Sequence, residues 1–246
     1  MTEQEWLGCT EPQKMVRFLR DKASDRKLRF FACACGWSIC PLLKEKQISR
    51  KTIEFAERFA DGLATRSELH GNAWGKTGSF SGVVMRKAWD AAEYSADHAS
   101  GMVEMVVREL DREATAIFNS AFEEAYDQQG LRLGEAYQKA DAASPADWVE
   151  KGRSARKEEQ EKQTGFLRDI FGNPFRPARV DPSWMTPTVI APAQTIYDDR
   201  AFDRMPELAD ALHDAGCDNE KILSHCRGPG PHVRGCWVVD LLLGKK

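Results

Sequence analysis

Residues Ser24–Ile39 read SDRKLRFFACACGWSI. Leu28, Phe31, Ala32, Cys35 and Ile39 recur three and four apart, which lays them on one face of an α-helix. Ser24 and Asp25 stand where an N-cap belongs, and Pro41 breaks or kinks the helix at its far end. The pattern repeats outward. Thr2 with Glu5 forms a capping box that opens a turn carrying Trp6, and Pro12 suits the first turn of a helix presenting Met15, Val16, Phe18 and Leu19. Ser49 is placed to cap a further helix with Ile53, Phe55, Ala56 and Phe59 inside and Gly62 at its end. No stretch alternates apolar and polar residues with period two, so the chain is predicted to be all-α.

The centre carries the longest periodic run. After a glycine-rich loop at Gly71–Gly82, Val103, Val107, Leu110, Ala114, Ile117 and Ala121 alternate four and three apart, a heptad-like seam. A second, charged helix starts after Ser144-Pro145 and runs to Phe171, and the two together predict a long helical hairpin. The expected organisation is an N-terminal helical block at 1–63, a central arm at 64–165, and a C-terminal helical block at 166–246 packing on the first. Aromatic residues on both blocks predict one shared core with Trp237 buried in it and the proline-rich stretch after Gly172 wrapped across it, anchored by Phe175 and Trp184. The last helix is expected at His232–Leu243.

Composition narrows the function classes. Among 246 residues, 35 Lys and Arg against 38 Asp and Glu give a net charge of -3, which argues against nucleic acid or an anionic membrane surface as partner. No apolar run approaches the roughly 18 residues of a membrane span. MTEQEWLGCTEP lacks the features of a secretory signal, and seven cysteines is an odd number, so a reduced, cytoplasmic chain is expected. Two motifs fail on inspection. His70 stands where a P-loop needs glycine, and Gly78–Gly82 has Phe80 where a nucleophile elbow needs serine. Cys33 and Cys35 point about 200° apart on a helix and read as small buried thiols. Asp240 comes closest to an acid isolated in an apolar run, and reads as a helix-face acid paired with Arg234 or a lysine.

The last thirty residues gather Cys217, His225, Cys226, His232 and Cys236. His232 and Cys236, four apart on a helix, are workable zinc ligands, and Cys217 with Cys226 (or His225 in place of Cys226) would complete a tetrahedron. The competing reading is that these thiols simply fill space between two helices fixed by the Gly228-Pro229-Gly230-Pro231 turn; a third is a Cys226 or Cys236 nucleophile served by His232. Arg227 and Arg234 flank that turn, placed to cap helix C-termini or to meet an anionic partner.

The segments ASDRKLRFFACAC, FADGLAT, LRDIFGNPFRP, IYDDRAFDRMPELADALHDAGC and HCRGPGPHVRGCWVVDLLLGKK resemble the signature blocks of a heavily duplicated, functionally uncharacterised bacterial family. The resemblance covers about half the chain and implies no catalytic residues. The leading expectation is a non-enzymatic helical interaction module that binds a protein partner or itself through the central helices. A zinc-stabilised regulatory domain is the alternative, and a Cys/His enzyme the third.

Overall fold

The computed structural model describes residues 1–20, 22–39, 46–65 and 145–246. The expected seam at 103–121, the glycine-rich loop and Cys40 lie outside the described residues. Among those described there are helices and no strands, in agreement with the all-α reading. Nine α-helices occur there, in order: α1 Glu3–Gly8, α2 Pro12–Leu19, α3 Asp25–Ile39, α4 Lys46–Ala60, α5 Pro145–Phe171, α6 Pro187–Asp199, α7 Met205–Asp214, α8 Glu220–Arg227 and α9 Trp237–Leu242. Short 3₁₀ turns at Pro182–Trp184 and Phe202–Arg204 precede α6 and α7. No helix among the described residues is long and apolar enough to cross a membrane.

The local signals act as the physics requires. The Thr2 hydroxyl accepts from the Glu5 amide while the Glu5 carboxylate accepts from Thr2 N–H, closing the capping box. Pro12 occupies the first turn of α2, and Asn219 caps α8. The fourth helix begins at Lys46, ahead of the expected Ser49 cap. The last helix begins five residues later than expected, at Trp237 with Cys236 as its N-cap, so His232 and Cys236 do not share a helix face.

Packing departs from the single expected core. One apolar cluster joins Trp6, Met15, Val16, Phe30 and Phe31 to Leu167 and Ile170 at the end of α5. The other is built by α6–α9, with Val189, Ile196, Leu208, Leu212, Ile222, Val238 and Val239 at its centre. A small third patch joins Cys33 to Ile53 and Ala56. Helix α5 therefore runs unbroken across the expected boundary at 165/166 and ends among N-terminal side chains. Trp237 is half-buried, lying over Gly172 and beside the His225 ring, with centroids 5.0 Å apart.

Besides these close contacts, a set of ion pairs joins the two clusters. Arg26 of α3 makes a two-pronged contact with Asp240 of α9, at 2.6 and 3.0 Å, and donates through Nε to Asp61 at 3.0 Å. Tyr197 donates to Asp61 and accepts from Arg26. Glu57 accepts from Trp37 Nε1 at 2.8 Å, from Arg234 at 3.3 Å and from Arg200. Asp240 thus pairs with Arg26, not with Arg234 or a lysine. Three guanidinium groups meet three carboxylates, so the junction balances its own charge, as buried ions must if their desolvation is to be offset.

Candidate metal centre

The loop between α8 and α9 is seated by glycines. A Cβ on Gly165 would lie 2.9 Å from Pro231 Cδ, and one on Gly235 (φ +92°) would lie 2.9 Å from Phe30 Cβ. Both glycines let the loop lie directly on α5 and α3 where any side chain would hold it off. The loop thereby brings His232 and Cys236 to Asp169, two residues before the end of α5, and to His225 on α8.

One donor atom from each of Asp169, His225, His232 and Cys236 lies within 4.8 Å of all the others, a group that could hold a metal ion. His232 Nδ1 lies 2.8 Å from Asp169 Oδ1, and His225 Nε2 lies 3.1 Å from that same oxygen and 3.3 Å from Cys236 Sγ. Donors on a tetrahedral zinc ion, at bond lengths of about 2.0–2.3 Å, stand about 3.3–3.7 Å apart. Three of the observed separations are at or below that range, and the others extend to within 4.8 Å, so the group is an uneven shell that an ion would draw into shape.

The outer contacts fit the same reading. Asp169 Oδ2 accepts from the Val233 amide at 2.9 Å, which turns Oδ1 to the centre. His232 Nε2 lies 3.3 Å from the Gly228 carbonyl and Nδ1 lies 2.8 Å from Asp169, so both nitrogens face acceptors; with an ion at the centre, Nε2 would keep its hydrogen on Gly228 and Nδ1 would turn its lone pair to the ion. Metal-bound histidines are held in this way, one nitrogen on the ion and the other donating to a backbone carbonyl. A catalytic triad would need the histidine's two nitrogens divided between acid and thiol. Here His225 offers one nitrogen, Nε2, to both, which suits convergence on an ion better than proton relay.

Charge follows from burial. Desolvation alone would raise the Asp169 pKa, but hydrogen bonds from His225 and His232 hold it below its ordinary 3.8. Burial likewise works against a charged His232, yet its bond to Asp169 raises it above 6.5. Burial and then the Asp169 charge push the Cys236 thiol well up. Cys226 is pushed to about 12, chiefly by burial. Both thiols are fully buried, the opposite of what a nucleophile requires.

Of the four residues expected as ligands, the structure brings His232 and Cys236 together and places Cys217 and Cys226 elsewhere, buried in the apolar cluster of α6–α9. Their places are taken by His225 and Asp169. Asp169 was legible in FLRDIF, where an acid interrupts Phe166, Leu167, Ile170 and Phe171. It is a better isolated acid than Asp240. Arg234 reaches Glu57 rather than a helix C-terminus, and Arg227 pairs with Asp210 at 3.4 Å near the surface. Comparison of the chain with known protein families, with characterised proteins and with solved structures returns no match.

Proposed function

We propose that the protein is a zinc-stabilised helical module, with Asp169, His225, His232 and Cys236 as ligands to one structural ion. The observation that carries this reading is the convergence of four donor atoms from three separate chain segments, with Asp169 and His232 each held by an outer hydrogen bond and Cys236 at a helix start. Two imidazoles, a thiolate and a carboxylate form a donor set suited to zinc, and four protein donors leave no position open for substrate. A closed shell supports a structural ion, hence a non-enzymatic, binding or regulatory role. All four donors fall in LRDIFGNPFRP and HCRGPGPHVRGCW, and on this reading the chain belongs to the bacterial family those blocks resemble. The interaction reading of the central helices is compatible: the ion would fix the body that carries them.

Elemental analysis of protein purified without added metal tests the proposal. The expected content is about one zinc per chain, since structural zinc binds at roughly 10–16 kcal/mol and survives purification. Less than about 0.1 equivalent of any transition metal, with none taken up on titration at neutral pH, overturns it.

A further inference from the structure

Beside the N-terminal cluster, α2, α3 and the end of α5 with the chain just after it line a cleft of about 550 Å³. Its walls include Phe18, Phe171 and Phe175, and its polar groups include Lys22 and Lys27. No carboxylate lines it among the described residues. Phe18 and Phe175 stack with centroids 5.1 Å apart and planes 14° from parallel, and Phe175 stays 37% exposed.

Lys27 is the unusual member. Its ammonium donates to the Ile170 carbonyl at 2.6 Å, at the C-terminal end of α5. That is its one protein acceptor among the described residues, leaving two of its three hydrogens without one. Burial depresses its pKa, with Asp240 and Cys236 acting the other way from a distance. A half-buried cation with no carboxylate beside it leaves a place for an anion. Lys22 at the rim lies 3.6 Å from the centre of the Phe18 ring, again with no acid partner among the described residues.

We infer that this cleft binds a small carboxylic acid with an apolar, preferably aromatic, body. The carboxylate would accept from Lys27 within and Lys22 at the rim, and the body would lie among the three phenylalanine rings. The volume is that of a site for a small molecule. A single inner cation matches a monoanion better than a phosphate dianion, and the cleft is lined by no arginine fork among the described residues. The inference does not rest on the zinc reading, and the two sites share no residue.

Calorimetric titration of the full chain with 3-phenylpropionate, 3-phenylpropionamide and phenyl phosphate tests it. The acid should bind with a Kd of about 1 mM or tighter, and the amide and phosphate at least about tenfold more weakly. Lys27→Met should weaken the acid by about tenfold or more, and Lys22→Met, on the exposed rim, by about threefold. If Lys27→Met does not fold, the Lys22 variant and the ammonium signals of ¹⁵N-lysine-labelled protein carry the test, with Lys27 expected to shift on adding acid but not amide. Equal binding of acid and amide, or an unchanged Lys22 variant together with unmoved lysine signals, overturns the inference. Zinc content should be the same in every variant, so failure here leaves the metal reading standing.

Discussion

Two buried polar centres draw on one loop, and they are built on different principles. In one, Arg234 enters a junction in which Arg26, Arg200 and Arg234 meet Asp61, Asp240 and Glu57. Every charge there is answered within the chain. In the other, His232 and Cys236 meet Asp169 and His225, acceptor-rich groups crowded to within 4.8 Å of one another with no arginine or lysine among them. The first centre is balanced in charge as protein. The second becomes complete with a cation. The two should therefore respond oppositely to chelators, to pH and to paired substitution.

The largest effect is expected from the metal centre. Chelation of the native protein, or Cys236→Ser, should lower Tm by about 10 °C or more, because an ion bound only by the folded state stabilises it by mass action. Differential scanning calorimetry with and without restored zinc checks this; an unchanged Tm would sink the contrast between the two centres. Next, Asp240→Asn should cost about 3–5 kcal/mol by removing the two-pronged partner of Arg26 and leaving three guanidinium groups to two carboxylates, while Arg26→Met with Asp240→Leu should cost far less, since both charges leave together. Urea melts measure both, and zinc content should stay at its native level throughout.

The pH response sharpens the comparison further. Without metal, the raised His232 pKa adds stability that is full below its unfolded value of 6.5 and is lost as pH climbs through the folded value. The lowered Asp169 pKa adds stability that is present above 3.8 and lost as pH falls through its own folded value. The metal-free pair is thus most favourable in mild acid. Zinc needs a bare His232 nitrogen and a Cys236 thiolate whose pKa burial has raised, so binding releases protons and tightens as pH rises. The gap in Tm between loaded and metal-free protein should widen from about pH 5 to about pH 8; a gap that narrows would contradict the assignment of these ligands. A smaller effect is expected from Gly235→Ala, about 1–3 kcal/mol. The new Cβ would meet Phe30 at a left-handed φ, pushing the loop away from both centres at once. Trp237→Ala, half-buried rather than enclosed, should cost less than the 3–5 kcal/mol of a core tryptophan. A loss at the full core value would mean that the two apolar clusters behave as one.

The sequence by itself determined the helices and the ingredients of the site. Period-three-and-four spacing, the Thr2–Glu5 box and Pro12 specify helices because their interactions span only three or four residues. The buried state of Cys33 and Cys35 was likewise legible from their neighbours. The concentration of Cys and His near the C-terminus was visible, and so were His232 and Cys236 as candidate ligands. Only the tertiary structure decided which other residues join them. Asp169 is 56 residues from His225 in the chain, and no local period links them. They meet because Gly165 and Gly235 let a loop lie flat on two helices, an arrangement set by close contact rather than by pattern. The same reason separates Cys226 from its neighbour His225: adjacent residues on a helix point about 100° apart, so one turns to the apolar cluster and the other to the ion site. The split into two clusters bridged by ions also escaped the sequence, since nothing local points Asp240 to Arg26, 214 residues away, until folding places them face to face.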